Sequence, residues 1–261
     1  MIKNNPSLFF LERALSKKAR IVLPEQSDSR IKSAINILKD YGFNILDVDF
    51  LFDNYNIYKD LISKKKFTNN WSEKTYDSFL KNPVNLSFVA LLNNDVDCGV
   101  AGATISSSEV IRSSIRVIGI KNKVDILSSS FFMLSNDLKK KFTYSDCAVI
   151  PEPTTKQFCS IAYEAACSHE ILSGEQAKVV FLSFSTKGSA EHYKVKRVQD
   201  AFKLFANQYP NIICDGELQF DSAINSNIAK NKNAYDILNG DANVFIFPDL
   251  DSGNIAYKVT Q

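Results

Sequence analysis

FLSFSTKGSA, residues 181–190, breaks an apolar run with hydroxyls, a lysine and a glycine. Val179, Val180, Phe181 and Leu182 have the β-branched and aromatic character of a strand buried on both faces. In open α/β sheets such strands deliver the chain to a ligand crevice at their carboxyl ends. Chemistry is therefore expected just after Phe184. There Ser185, Thr186 and Ser189 offer hydroxyls, Lys187 offers a compact cation, and Gly188 permits a turn or a close backbone approach. The set suits an anionic group, although read alone it more readily suits a polar strand-to-helix connection.

Two later runs share this form: IICDGELQFD, residues 212–221, and ANVFIFPDLDSGNIAY, residues 242–257. Each is apolar first and then acidic or glycine-bearing. Together with RIVLPEQSDSR, residues 20–30, and VAGATISSSEVIRSSIRVIG, residues 100–119, they stand in an order that resembles the phosphate acetyl/butyryltransferase family almost end to end. The segments STKGSA, DGELQ with Asp221, Ala223 and Ile224, and ANVF-FPDL-GNI-YK carry the resemblance.

The resemblance implies two α/β domains with a cleft between them, similar to the isocitrate/isopropylmalate dehydrogenase-like fold. It implies reversible acetyl transfer between acetyl phosphate and coenzyme A, with phosphate and acetyl-CoA on the other side. Coenzyme A is then a substrate, and no cofactor is permanently bound. Ser107 matches a serine at the coenzyme site, and Arg112 an arginine that binds coenzyme or phosphate. Thr186, Lys187, Gly188 and Ser189 of the loop, with Asn254 and Tyr257 of GNI-YK, complete the expected substrate-binding set. A homodimer is also implied. Close alternatives are phosphate butyryl transfer and a noncatalytic acyl-CoA-binding module like those fused to some malic enzymes. A dehydrogenase activity would rest on fold similarity alone.

The chain departs from the family in three places. Gln26 stands where a glycine is usual, and Ser113 replaces a proline, which bears on the local helix geometry. The sequence also stops at Gln261, before a family segment Asp-Leu-Ser-Arg-Gly and a nearby aspartate implicated in phosphate binding and thiol deprotonation. No catalytic base is therefore assigned within 1–261, and these residues alone are expected to form acetyl-CoA barely above background.

Composition narrows the other classes. At 261 residues the chain holds one large or two modest α/β units. The expected division is 1–124 and 125–261, with the last elements of the first domain absent. Thirty-one Lys and Arg against 29 Asp and Glu leave a formal +2, so nucleic acid is not an expected partner. The triplets Lys64-Lys65-Lys66 and Lys139-Lys140-Lys141 read as solvated surface. Five cysteines without a CxxC pair read as reduced core thiols. His169 and His192 are too few and too far apart for a metal cluster or a histidine-based mechanism. With no signal pattern and no run long enough to cross a bilayer, a cytoplasmic protein without membrane partners is expected.

Taken in order, a strand from Arg20 is followed by a turn through Ser27 and Asp28 and a helix striped by Ile31, Ala34, Ile35 and Leu38, which stops at Gly42. Arg30 is expected in that helix's first turn, the other reading being that it reaches an anion. Residues 43–81 carry short pieces, and Pro83 precedes a helix bearing Leu86, Val89, Ala90 and Leu92. A strand over residues 98–101 leads to Ser106, which with Glu109 forms a capping-box pattern, and the amides of residues 106–108 can hold an anion. The crossing to the second domain falls at residues 121–125. Residues 126–134 and 147–150 look strand-like, and Thr154 or Thr155 caps a helix striped by Phe158, Ile161, Ala162, Ala165 and Ala166. A further helix presents Val195, Val198, Phe202 and Phe205 before Pro210. Asp215, Glu217 and Asp221 are formally a carboxylate cluster, but acids after strands more often cap helices and hold loops, so no metal is expected. Asp249 and Asp251 are expected to serve a turn or cap.

Overall fold

The computed structural model describes residues 6–121, 126–135, 137 and 139–261, with side chains from residue 10 onward. It divides into two compact units, Met1–Lys121 and Asn122–Gln261. The expected crossing point at 124/125 lies outside the described residues.

The first unit runs α1 (Pro6–Ser16), β1 (Arg20–Val22), α2 (Ser29–Asp40), β2 (Asn44–Leu46), α3 (Val48–Leu51), α4 (Tyr55–Ser63), α5 (Glu73–Leu80), α6 (Pro83–Leu92), β3 (Cys98–Gly99) and α7 (Ser107–Val117). Its strands form a parallel sheet in the order β2-β1-β3. Asp28 caps α2 by accepting from the Arg30 amide, and Gly42, at φ +89°, takes the left-handed conformation that ends the helix. The α2 stripe Ile31, Ala34, Ile35 and Leu38 is half-buried. Pro83 stands at the start of α6, where its missing N–H costs nothing, and Asn82 caps the helix. Leu86, Val89 and Ala90 of α6 join Val22, Tyr58, Ile62, Leu80 and Val117 in the core. The third strand is shorter than the sequence suggests, because pairing with β1 ends at Gly99 and Val100 and Ala101 already belong to the following loop.

The second unit runs β4 (Ser130–Leu134), β5 (Lys141–Ser145), α8 (Thr155–Ser173), β6 (Lys178–Leu182), α9 (Tyr193–Gln208), β7 (Ile213–Leu218), α10 (Phe220–Ile224), α11 (Ser226–Asn231), β8 (Val244–Ile246) and α12 (Leu250–Thr260). The sheet order is β4-β5-β8-β6-β7, parallel except for β4 against β5. Alternation along β6 explains its all-apolar sequence. Val179 and Phe181 face a core built with Phe158, Ile161 and Ala165 of α8 and Val198 and Phe205 of α9. Val180 and Leu182 face the opposite layer with Tyr144, Phe245, Leu218 and Leu238. Thr154 and Gln157 form a reciprocal capping box at the start of α8, whose predicted stripe is buried throughout.

Two strand expectations are corrected. Residues 147–150 are a loop, and the strand lies earlier, at Lys141–Ser145. The cause is Asp146, 3% exposed, whose carboxylate accepts from the amides of Ala148 (3.0 Å), Val149 (3.2 Å) and Ile150 (2.9 Å). A side chain thus takes the donors a neighbouring strand would need. Asp215 and Glu217 are likewise inside β7 and buried, not in a loop after it. The register with β6 skips one residue: Phe181 pairs with Gly216 and Leu182 with Leu218, so Glu217 is the extra residue of a bulge.

Cys147, Cys159 and Cys214 are buried thiols as expected, whereas Cys167 is half-buried and Cys98 is exposed on β3. His169 is fully buried, and burial lowers its pKa; Nδ1 lies 3.0 Å from the Thr143 hydroxyl. His192 caps α9. No helix among the described residues is long and apolar enough to cross a membrane.

Candidate functional site

In the first unit the candidate residues gather at the start of α7. Ser106 caps the helix, its hydroxyl accepting from the Glu109 amide at 3.3 Å. Ser107 and Arg112 are both exposed, and among the described residues no carboxylate pairs with Arg112. Ser108, Arg112 and Arg116 are spaced to share one face, while Ser107 lies about 140° around the helix from Arg112. The two expected ligands of α7 therefore address an anion from different sides of its first turns. Ser113 is buried within the unbroken helix, so the family's proline is not needed for its geometry. Gln26 is absent from the positive-φ residues, so the turn after β1 does not demand glycine there.

The amides just before this helix already hold an anion. Glu25, 7% exposed, follows β1 and turns its carboxylate into the loop over residues 102–105. Oε2 accepts from the amides of Gly102 (2.7 Å) and Ala103 (2.8 Å). Oε1 accepts from the amides of Thr104 (2.6 Å) and Ile105 (2.9 Å) and from the Thr104 hydroxyl (2.7 Å). Burial pushes the carboxyl's pKa up, but the hydrogen bonds from Ala103, Thr104 and Ile105 outweigh it and hold the value at about 2, below an ordinary 4.5. Nothing local in the sequence marks Glu25, because an acid after a strand carries no periodic signal.

A pH dependence follows from that lowering. Unfolded, the carboxyl binds its proton near pH 4.5; folded, it resists until about pH 2. Its stabilisation is complete above the first value and is lost as pH falls through the second. The difference in urea midpoint between wild type and Glu25→Gln is expected to be constant above pH 5.5 or so and to shrink toward pH 2. A difference that stays constant into acid would remove the charge from this account.

In the second unit the loop after β6 folds back onto β7. The Ser185 hydroxyl donates to Glu217 Oε1 at 2.9 Å, and the Gly188 amide donates to the same oxygen at 2.7 Å. Burial pushes the Glu217 carboxyl up, while the Gly188 amide and the Ser185 hydroxyl bring it below its ordinary range. Thr186, 5% exposed, accepts from the Gln219 amide at 2.9 Å and donates to Gln219 Oε1 at 3.2 Å. The Ser189 hydroxyl accepts from the Thr186 amide at 3.0 Å. Lys187 is turned inward, its ammonium bonded to Asp215 Oδ1. Gly188, at φ +81°, supplies the left-handed residue that lets the loop reverse.

The structure thus brings Ser185, Thr186, Lys187, Gly188 and Ser189 together with Asp215, Glu217 and Gln219, and it spends most of their polar atoms on one another. Lys187, Gly188 and Ser189 remain exposed, the lysine while its ammonium meets the buried Asp215. Gly188 also lines a cavity of about 510 Å³ with His192, Tyr193 and Gln199 at the start of α9. The three acids considered as a cluster have separate partners: Lys187 for Asp215, Ser185 and Gly188 for Glu217, and Lys232 at 2.8 Å for Asp221.

Asn254 and Tyr257 belong to α12, which Asp249 caps by accepting from the Ser252 amide at 3.0 Å. The helix starts at Leu250, so Gly253 and Asn254 lie inside it. Asn254 Nδ2 donates to the Cys147 carbonyl at 3.1 Å. The Tyr257 ring stacks on Phe131, with centroids 4.1 Å apart. Both side chains hold α12 against the β4–β5 side of this unit.

Residues 42–261 match the family described as phosphate acetyl/butaryl transferase. The chain is 31% identical to the phosphate acetyltransferase of Acetivibrio thermocellus and 33% identical to that of Staphylococcus epidermidis, covering 96% of this chain and 84% of each relative. The EutD phosphotransacetylase from Staphylococcus aureus superposes with a TM-score of 0.82 at 29% identity, over 97% of this chain and 85% of its own. A family match across most of the chain, joined to the same two-domain α/β fold, has one reading: the chain belongs to the phosphate acetyl/butaryl transferase family.

Proposed function

We propose that the protein is a phosphate acetyltransferase, catalysing reversible acetyl transfer between acetyl phosphate and coenzyme A. In the direction of thioester synthesis sulfur bonds to the acetyl carbon, the bond from that carbon to the phosphate oxygen breaks, and the thiol's proton ends on the phosphate that leaves. A site for this reaction must hold two polyanionic substrates in line and stabilise charge on the carbonyl oxygen. Positioning and fixed donors supply that without a protein nucleophile or a resident cofactor.

The observation that carries the reading is the exposed start of α7, in a chain whose relatives bear this activity in their names. Ser107 offers a hydroxyl and a leading amide, and Arg112 a cation not engaged by any described carboxylate. Gly188 and Ser189 present the outer rim of the STKGSA loop to substrate. Within the second unit, Thr186, Lys187, Asn254 and Tyr257 hold that loop and α12 in place. Five unpaired thiols suit a reducing cytoplasm, and a homodimer completes the proposal.

The test is to titrate coenzyme A into the purified protein and to follow thioester formation from acetyl phosphate and coenzyme A. Absence of both binding and thioester formation would overturn the reading. Arg112→Ala is expected to weaken coenzyme A or phosphate binding by roughly 1.5–3 kcal/mol, the range for a charge-assisted hydrogen bond. Calorimetry checks it, and a smaller loss that vanishes in salt would return Arg112 to the surface charges.

A further inference from the structure

We propose that Glu25 is a positioning residue that sets the substrate-binding start of α7 by filling the amide nest of residues 102–105; the proposal rests on the function inferred above. Five hydrogen bonds converge on one carboxylate, four from consecutive backbone amides. Consecutive amides pointing inward form a concave anion site. Here the anion is supplied from within the chain.

The placement gives this its consequence. The nest ends at Ile105, Ser106 caps the helix, and Ser107 is the first helical residue. Only Ser106 stands between the last amide on Glu25 and the expected ligand Ser107, so the conformation of the nest fixes where α7 begins and how it points. Glu25 is itself anchored. It follows the buried Val22 and Leu23, and its carbonyl accepts from the Asp28 amide at 3.0 Å. A second strut runs beside it: Arg30 donates to the Ala103 carbonyl at 3.0 Å while held on Asp28 at 2.7 Å. The loop is thus tied to the end of β1 through its donors by Glu25 and through one acceptor by Arg30. The nest also has no amide left for a free phosphate, which directs a substrate anion to the helix start instead.

Glu25→Gln keeps the size and replaces one acceptor oxygen by an NH₂ group that faces amide donors. The expected result is a folded variant whose dissociation constant for coenzyme A is about 10-fold weaker, the order of loss when one hydrogen bond at the start of α7 is misaligned. Val89→Ala, a truncation in the core of the same unit, is the control for stability alone, and it is expected to lower Tm without changing that constant. Glu25→Asp, which retains the charge one methylene short, is expected to fall between wild type and Glu25→Gln. Wild type and Glu25→Gln binding coenzyme A equally well would overturn the proposal and leave the function standing. Val89→Ala and Glu25→Gln losing affinity in the same proportion to Tm would also overturn it. A wild type that binds no coenzyme A would overturn the function, and this proposal with it.

Discussion

Lys187→Met is expected to lower the unfolding free energy of the second unit by about 3 kcal/mol, a loss that a solvated loop lysine would not produce. The reason is the partner it abandons. Asp215 is 1% exposed, and Oδ1 accepts from the Lys187 ammonium and from the Gly216 amide at 2.8 Å. Its Oδ2 is buried without a partner among the described residues. Removing the lysine leaves a buried carboxylate compensated by one amide, and breaking a buried pair from one side costs about 3–5 kcal/mol. The lower end applies, because the lysine side chain is 33% exposed and water can replace part of its contact. Adding Asp215→Asn to the lysine variant should recover much of the loss, since the stranded charge goes with it. Urea curves for the two single variants and the double measure this. An unchanged midpoint joined to weaker coenzyme A binding would make Lys187 a ligand of substrate and not a brace of the loop.

Gly253→Ala is expected to destabilise the same unit by about 3 kcal/mol, although alanine favours a helix over glycine by about 1 kcal/mol. The sign is decided by contact. A Cβ on Gly253 would stand 2.4 Å from the Asp146 carbonyl oxygen and 3.0 Å from Cys147 Sγ. Neither atom can give way cheaply. Asp146 is pinned through its side chain to the amides of residues 148–150, and Cys147 is fully buried, with its thiol pKa pushed up to about 12 by that burial. The helix α12 must back off, breaking the Asn254 bond to the Cys147 carbonyl and unstacking Tyr257 from Phe131. Thermal melts of wild type and variant check the direction, and a rise in Tm would show that helix propensity prevails.

What the sequence makes legible follows from how each segment is buried. The strand β6 is readable because both its faces are packed, so all of Val179, Val180, Phe181 and Leu182 must be apolar. The helix α8 is readable because one face meets the sheet, which places Phe158, Ile161, Ala162, Ala165 and Ala166 at helical spacing. Residues 147–150 look like a strand by composition and are not, since apolar character reports burial and cannot say which donor or acceptor a backbone group meets. The same limit governs the site. The residue types of STKGSA announce polar chemistry after β6, but whether Lys187 reaches outward or inward depends on Asp215, 28 residues later in the sequence. Glu25 and its nest lie 77 to 80 residues apart, a pairing no local pattern contains.

Whether coenzyme A meets the start of α7 is decided by calorimetric titration of coenzyme A into wild type and Arg112→Ala. Saturable binding by wild type, weakened at least about tenfold in a variant that melts as wild type does, is the predicted result. Equal affinity in the two proteins, or no binding by wild type, would contradict it.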